Sequence, residues 1–580
     1  MSPQALRRLF GTEEAVAPAL ALHAGPLAAR LQGTRLGPIL CEGHEVWHGV
    51  DLLHRDPHWG TPAAHVQQVE HLQSGAGFEA CVRGHAGPGA QIAFEIRIAG
   101  SARSLRYTAT ATVREDLWTS RTGIVLMHPL AACGRLVEVE HTDGRRSAST
   151  FPTLIAPWPP FTLVRALRHE FADDAWAVAR LTGDDFELED QRNNADASFK
   201  TYSRSNLMPR PYLLRAGTVL RQCADLSIES VPRPAHGRRA GPVHVGIGAA
   251  EGELPAIGTA VSAADLHAPP EVHAALRTLA PAHLHLSLQS GDAVDGPGIA
   301  RLLDAAGCAL HLEIDTPAGG DAAAALQRIA AALRAAAVVP RAVAVFPSTA
   351  PVIAAARRAF PASRIGGGTP LFFTQLNRIE DLGTCDFLCF GTASVVHGSS
   401  DDEIMAGLQS LPAMVATLRQ RHGQVPVHVG PSGIGARRSP FGGQPDSDGG
   451  RRTALARRDP RTRGQYGAAW ALGYLAQFVC SGAQAITLFD LAGDAALVAP
   501  DGPVPAFEVM RRLGRPASWR RARVFEPEAV AALALEADGR REVLVANLQG
   551  TAVAVQIDDA GAGRRIDLGP YDVAVFQAGG

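Results

Sequence analysis

From residue 243 onward, short apolar segments alternate with alanine-rich segments of helical character, and this alternation restricts the possible folds more than any other feature of the chain. Eight such strand–helix units within about 270 residues are typical of a (β/α)8 barrel, in which the strands pair in parallel. The sequence therefore predicts a TIM barrel over residues 242–515. The strands predicted for it are Val243–Ile247, His283–Gln289, Ala309–Asp315, Ala342–Phe346, Arg364–Gly368, Phe387–Gly391, Val427–Gly430 and Ala485–Asp490.

The segments on either side of the predicted barrel have the period of β-strands. In Gln91–Ile98 and Leu105–Val113 apolar residues alternate with polar ones, and Gly, Pro and Asp separate such runs. We expect an N-terminal antiparallel β-sandwich over residues 1–235 and a small C-terminal β-domain over residues 519–580, with Pro232–Gly241 as a linker. A chain of 580 residues is too long for one hydrophobic core, which agrees with several domains.

The predicted barrel strands carry polar residues on their inner face. In Ala309–Asp315 the face opposite the leucines bears His311, Glu313 and Asp315, so these side chains should point into the barrel. Active sites of such barrels lie at the C-terminal ends of the strands, which makes Glu313 a catalytic candidate. We interpret the deeper inward histidines as hydrogen-bonded core residues, namely His244, His285, His311 and His428. The candidates that follow later strands are Asn377, His397, Arg437 and Asp490.

The segment from Glu187 to Tyr202 collects acidic, basic and amide side chains between runs that are typical of β-structure. Within it, Lys200 is the only lysine of the chain, and all other members of the 55 Lys plus Arg are arginines. A lysine amine is a compact charge whose pKa falls on burial, whereas a guanidinium stays protonated and needs a planar site. This favours a catalytic or substrate-anchoring amine at Lys200, with a structural ion pair to Asp190 or Asp196 as the alternative.

The overall composition is that of a globular protein without a strongly charged partner. The net charge is −2, the pI is about 6.9 and no basic stripe is present, which argues against nucleic-acid binding. No apolar run marks a signal peptide or a membrane span, so we expect a cytoplasmic location and no membrane partner. The eight cysteines are scattered, and the spacing of four neighbouring histidines is not that of a metal site, so we expect no metal and no cofactor. Those histidines are His44, His48, His54 and His58.

Several common catalytic motifs are missing from the sequence, which contains no Walker A, His-Glu-x-x-His or Gly-x-Ser-x-Gly pattern. A β-sandwich with a barrel also occurs in retaining glycosidases, which use two facing carboxylates about 5 Å apart. The ends of the predicted fourth and seventh strands carry no carboxylate. Glu313 with Asp490 is the pair that remains for this alternative.

A set of stretches distributed over nearly the whole chain forms a specific pattern. The longest is Phe186–Asn193, continued by Asp196–Tyr202, and the others are Arg55–Thr61, Met127–Pro129, Phe151–Pro157, Asn377–Arg378, Asp459–Arg461 and Ala468–Trp470. In these stretches the chain resembles the D-apionate lactonase family. The resemblance implies hydrolysis of a five-membered sugar-acid lactone in the catabolism of the branched pentose D-apiose, with a small-molecule sugar lactone as the partner.

Lactone hydrolysis requires an activated water, a stabiliser for the oxyanion and a proton for the departing alkoxide. We expect Asp190, Glu313 or His397 to serve as base and Lys200 or Arg192 to hold the oxyanion. These roles assume that the segment from Glu187 to Tyr202 reaches the barrel mouth. A glycoside hydrolase-like enzyme and a non-catalytic sugar-acid-binding protein are the alternatives, and the oligomeric state is not readable. The substrate-binding candidates are Arg192, Asn193, Tyr202, Asn377, Arg437 and Asp490.

Overall fold

A computed structural model of the chain describes residues 1–234, 241–316, 321–444, 449–537, 539–559 and 562–578. Residues 235–240 of the predicted linker therefore lie outside the described residues. The chain begins with helix α1 (Pro3–Phe10). Strands β1 to β19 follow in chain order: Leu20–Ala24, Leu27–Gln32, Arg35–Cys41, His44–Trp47, Gly49–Arg55, Ala64–Gln73, Gly77–Ala86, Ile92–Ser101, Ser104–Val113, Leu117–Thr119, Arg121–Pro129, Leu136–His141, Arg146–Thr150, Phe161–Ala172, Ala175–Thr182, Phe186–Asp190, Ser198–Ser203, Tyr212–Leu214 and Val219–Ile228.

These N-terminal strands form one antiparallel sheet that folds over a common apolar core, and the predicted β-sandwich is confirmed. Strands β10 and β18 pair with each other, and the other seventeen strands belong to the large sheet. In β7 every second residue is buried, as the two-residue period of its sequence requires. Strand β17 pairs with β11 on one side and β16 on the other, which fixes the backbone of Lys200 on both edges.

Eight parallel strands in the middle of the chain close into a barrel, as predicted. Strands β21 to β28 are Ala256–Val261, His283–Gln289, Ala309–Asp315, Ala342–Phe346, Arg364–Phe372, Phe387–Gly391, Val427–Ser432 and Ala485–Asp490. Helices α2 to α10 are Pro270–Leu279, Gly296–Ala306, Ala322–Ala335, Ala350–Ala359, Phe373–Asn377, Asp401–Gly407, Leu411–His422, Gln465–Cys480 and Pro505–Leu513.

The prediction of the first barrel strand was wrong. Val243–Ile247 belongs to β20 (Val243–Glu253), which pairs with two strands of the C-terminal sheet, and the first barrel strand is β21. His244 consequently does not point into the barrel, because its half-exposed ring lies 3.4 Å from Asp558 on that sheet. The remaining strands, β29 to β36, are Val498–Ala499, Gly502–Pro503, Ser518–Val524, Val530–Ala537, Arg540–Asn547, Val553–Asp559, Ala562–Leu568 and Val573–Ala578. The C-terminal sheet runs in the order β35-β34-β20-β31-β32-β33-β36.

The lower barrel interior contains a stack of histidine rings. His283 lies against His311 with ring centroids 3.9 Å apart, and His311 lies 5.5 Å from His428. Burial lowers the pKa of all three rings, so they pack as neutral side chains. His311 and His428 therefore occupy the inward positions that the alternation predicted.

Candidate active site

The turn between β16 and β17 reaches the loops at the C-terminal end of the barrel. The Thr374 hydroxyl donates to the Asn193 carbonyl oxygen at 2.8 Å, and Asp196 contacts the imidazole of His397. On the adjacent helix α7, a Cβ at Gly407 would overlap the carbonyl oxygen of Ala195, so the close approach requires glycine there. The segment from Glu187 to Tyr202 thus lies at the interface between sandwich and barrel.

Two cavities meet at Arg55 and His397 in this interface. The first, which we call the aromatic cavity, has a volume of about 570 Å³ and includes Trp59, Trp158 and Phe441 in its walls. The second, the polar cavity, has a volume of about 340 Å³. Charged groups that line the polar cavity include Arg35, Asp51, Asp196, Lys200 and Glu403.

Three buried cations at this junction lack a direct carboxylate partner among the described residues. Arg55, Arg121 and Lys200 are only 2%, 4% and 4% exposed. The guanidinium of Arg55 donates to three backbone carbonyls, and that of Arg121 donates to the neutral side chain of Asn206. Buried charges are normally paired. The junction therefore holds positive charge that no directly bonded carboxylate of the described residues neutralises, and such charge favours the binding of an anion.

Burial and neighbouring positive charges lower the pKa values of two cations at the junction, Lys200 and Arg55. Burial, and next the guanidinium groups of Arg55 and Arg121, hold the pKa of Lys200 below its usual range. Burial likewise lowers the pKa of Arg55 to about 10, with Arg121 as the next cause. Lys200 can therefore lose its proton at a lower pH than an exposed lysine, whereas the two arginines keep the site positive.

His397 and Asp196 form a second functional pair at the junction. His397 Nδ1 contacts Asp196 Oδ2, which orients the ring, and this is the hydrogen bond that the His397 side chain makes within the described ranges. Burial lowers the pKa of His397 well below its usual range, and Lys200 and Arg55 act in the same direction. Burial also raises the pKa of Asp196. The imidazole is thus neutral. The charges of Lys200 and Arg55 oppose the effect of burial on Asp196, and an ionised Asp196 that accepts from Nδ1–H leaves Nε2 to accept a proton from a bound water.

Two carboxylates face the aromatic cavity. Glu187 accepts hydrogen bonds from the hydroxyls of Tyr202 and Ser205, at 2.5 and 2.6 Å. Glu189 accepts from Gln191 at 3.1 Å and lies 3.4 Å from the guanidinium of Arg378. Tyr202 itself is fully buried behind the cavity, with the guanidinium of Arg121 3.5 Å from its ring centroid. The carboxylates can accept hydrogen bonds from sugar hydroxyls.

Four predicted site residues have structural contacts, two of them within the sandwich and two across its interface with the barrel. Asp190 and Arg192 form a buried ion pair at 2.7 Å, and Arg192 also donates to the carbonyl oxygen of Pro152 at 2.7 Å. Asn377 of the barrel donates to the side-chain oxygen of Asn193 at 2.9 Å. None of these four side chains lines either cavity. Their polar atoms are engaged in these structural contacts.

Predicted site residues at the barrel mouth are engaged in ion pairs. Arg438 lies 3.4 Å from Glu313 and 2.6 Å from Asp315, and Arg437 pairs with Asp490. Burial opposes ionisation of Glu313, but the hydrogen bond from His285 and the charge of Arg438 leave its pKa below the usual value. Glu313 is therefore an ionised carboxylate that is already paired with Arg438.

Comparison with protein families covers almost the whole chain. Residues 7–231 match the model described as D-apionate lactonase, N-terminal domain, and residues 257–518 match the TIM barrel domain of the same family. Residues 527–576 match its C-terminal immunoglobulin-like domain. The chain belongs to the D-apionate lactonase family. A member of this family, the D-apionate lactonase of Brucella anthropi, is 32% identical, and the match covers 97% of this chain and 98% of that protein.

Solved structures show weaker likenesses to this family member. A GH30 endoxylanase from Clostridium papyrosolvens is 10% identical, with a TM-score of 0.40, over 59% of this chain and all of the other. A beta-arabinopyranosidase is 9% identical, with a TM-score of 0.28, over 96% of this chain and 98% of the other. Such low scores support no functional conclusion for the family member described here.

Sequence reasoning did not select Arg55, Arg121 or Asp196 as functional residues. Arg55 opens one of the stretches shared with the family, Arg55–Thr61, and that position was the available signal. Nothing in the local sequence of Arg121 marks it, because its role depends on a long-range contact with the ring of Tyr202. Asp196 was considered only as an ion-pair partner of Lys200.

In the ranges that the structure describes, no group of three or more His, Cys, Asp or Glu side chains is arranged to hold a metal ion. Within the same ranges, every helix is too short or too polar to cross a bilayer.

The Asp190–Arg192 pair should be a major contributor to stability. Asp190→Asn leaves the buried Arg192 charge uncompensated, which should cost about 3 to 5 kcal/mol. Asp116→Asn is the matched control, since its ion pair with Arg215 is exposed and worth at most about 1 kcal/mol. Thermal unfolding followed by circular dichroism should show a far larger fall in Tm for Asp190→Asn. Equal shifts for the two variants would contradict this role.

Proposed function

We propose that this protein hydrolyses the lactone of a five-carbon sugar acid, D-apionolactone, to the open acid at the junction of the two cavities. The observation that carries the proposal is the oriented, neutral His397 beside three buried cations that lack a direct carboxylate partner in the described part of the chain. This combination supplies a base and an anion-stabilising group at one place. The similarity to the D-apionate lactonase of Brucella anthropi supports the choice of D-apionolactone. We further propose that the enzyme acts in the cytoplasm, without a nucleic-acid or membrane partner.

In the first step, His397 Nε2 takes a proton from a water molecule as the water oxygen attacks the lactone carbonyl carbon. Asp196 holds the imidazole through Nδ1 and stabilises the imidazolium that forms. The carbonyl oxygen becomes negatively charged in the tetrahedral intermediate. The ammonium of Lys200 and the guanidinium of Arg55 stabilise that charge, which is worth more in a buried site than in water.

In the second step, the tetrahedral intermediate collapses and the bond between the carbonyl carbon and the ring oxygen breaks. The imidazolium of His397 gives its proton to the departing ring oxygen, which becomes a hydroxyl group of the product. The new carboxylic acid ionises, and its carboxylate lies among the same cations. Arg121 and the cavity carboxylates Glu187 and Glu189 hold the product hydroxyls and carboxylate in place.

The direct test is hydrolysis of a panel of aldonolactones, with D-apionolactone included, followed by acid release in a pH-stat. The proposal expects turnover of D-apionolactone well above the spontaneous rate. The absence of turnover on every lactone of the panel would overturn it and favour a protein that only binds sugar acids.

The pH dependence of kcat/KM should reflect the perturbed groups of the junction. The pKa of His397 is lowered, so the base stays neutral and the rate should hold until the pH is below about 6.5. The pKa of Lys200 is also lowered, so its ammonium loses its proton as the pH rises. The rate should therefore begin to fall before the pH reaches the ordinary lysine pKa of about 10.4. Initial rates corrected for spontaneous hydrolysis will check both limits. Lys200→Arg should remove the alkaline limit, and an alkaline limit unchanged in that variant would contradict the assignment.

A further inference from the structure

The aromatic cavity is larger than the proposed lactone requires. A five-carbon lactone has about ten non-hydrogen atoms, and even at the roughly 30 Å³ that a water molecule takes in the liquid it would fill no more than about 300 Å³. The cavity has a volume of about 570 Å³. We infer that its outer part is a subsite for a second sugar ring, so that the substrates include lactones that carry a glycosyl group. This inference rests on the proposed function.

Two large apolar side chains in the wall of the aromatic cavity are mostly exposed. Trp158 is 57% exposed and Leu207 is 65% exposed, and both line the cavity. The guanidinium of Arg378 lies 4.5 Å from the centroid of the Trp158 ring and donates to the carbonyl oxygen of Pro157 at 2.7 Å, which holds the ring at the cavity rim. An exposed aromatic ring in a fixed position is a surface on which a ligand can stack.

Trp59, which also lines the aromatic cavity, is held in a strained conformation. Its φ of 69° lies in the left-handed region, which bulky residues rarely adopt. The turn is stabilised because Arg55 donates to the Trp59 carbonyl oxygen at 3.0 Å and the Trp59 amide donates to the carbonyl oxygen of Asp56 at 3.1 Å. The Trp59 ring then lies 6.0 Å from Phe441 of the barrel. Such strain is typical of functional positions, and here it fixes a second aromatic wall.

The polar groups of the outer cavity favour a sugar ring over an aromatic group. Arg210, Arg378 and Thr162 line the aromatic cavity beside its tryptophans. These side chains supply donors and acceptors at the edges of the aromatic walls. A sugar ring can stack its carbon–hydrogen face on a tryptophan while its hydroxyls bond to such groups, whereas an aryl group would leave them unpaired.

The experiment compares two acids that differ by one sugar ring, D-gluconate and lactobionate, the latter being gluconate with a galactosyl group. Calorimetric titration measures binding of each to the wild type, to Trp158→Ala and to Trp118→Ala. Trp118 is also largely exposed but lines neither cavity, so its variant is the matched control. We expect lactobionate to bind about tenfold more tightly than gluconate to the wild type and to Trp118→Ala. In Trp158→Ala that difference should disappear while gluconate binding is unchanged.

Equal binding of the two acids to the wild type, no binding of lactobionate, or an unchanged difference in Trp158→Ala would overturn the subsite. So would tighter binding of a phenyl-substituted gluconate than of lactobionate, since that outcome assigns the cavity to an aryl group. Binding does not depend on turnover. A protein that hydrolyses D-apionolactone but binds the two acids equally would therefore retain the proposed function without the subsite. A protein that binds lactobionate more tightly but hydrolyses no lactone would have the sugar-binding subsite without the proposed function.

Discussion

Replacing His397 by alanine is expected to slow D-apionolactone hydrolysis by about two to four powers of ten, because the reaction loses both the base for water and the acid for the ring oxygen. KM should change little, since the imidazole acts on the water and the leaving oxygen more than on the bound sugar. Steady-state rates from pH-stat measurements provide the check.

Two further variants make the His397 result specific. Asp196→Asn should also reduce kcat, because the amide can present a hydrogen atom to Nδ1 and turn the ring to the wrong tautomer. His267→Ala is the control, since His267 is an exposed histidine of the barrel that lines neither cavity. A His397→Ala protein that keeps its fold and its wild-type kcat would exclude His397 from the chemistry.

Replacing Lys200 by methionine, which keeps the length of the side chain but removes its charge, should lower kcat by about 10² to 10³. The reason is that the ammonium stabilises the oxyanion in a buried site, where one donor has a large effect. Lys200→Arg should lose less because it keeps the charge, but its planar group does not fit the space of a compact amine among two other buried guanidinium groups.

The position of Lys200 as the only lysine allows a chemical check in the unmodified protein. An amine-directed acetylating reagent can modify only Lys200 and the N-terminal amine, and the two products are separable by mass spectrometry of peptides. Activity should fall in proportion to modification of Lys200, and bound D-apionate should protect it. Full activity with Lys200 fully acetylated would show that the amine has a structural role.

The sequence sufficed for most of the barrel because seven of its strands are short apolar segments at regular intervals between helices. It failed at the first strand because Val243–Ile247 has the same apolar character as a barrel strand, whereas the true first strand, Ala256–Val261, contains a glycine and follows a turn. Only long-range pairing decides between them. Val243–Ile247 pairs with β31 and β34, which lie more than 270 residues later in the chain.

The candidate site was predictable in part for a similar reason. Lys200 stands out by its uniqueness and His397 by its place after a barrel strand, so both could be proposed from the sequence alone. Asp190 and Asn377 have equally suggestive local sequences, but their polar atoms are engaged, by Arg192 in the same turn and by Asn193 across the interface. Arg55 and Arg121 have no carboxylate partner among the residues that the structure describes. Whether a buried arginine has one depends on side chains from both domains and cannot be read from a local sequence pattern.

The central claim is that lactone hydrolysis takes place where the sandwich meets the barrel loops and not deep in the barrel mouth. The most direct measurement is the kcat for D-apionolactone of a matched pair of variants, His397→Ala and Glu313→Gln, with circular dichroism to establish that both are folded. We predict that His397→Ala loses nearly all turnover while Glu313→Gln retains a rate close to that of the wild type, because Glu313 is paired with Arg438. Loss of turnover in Glu313→Gln with full activity in His397→Ala would contradict the account and place the chemistry in the barrel mouth.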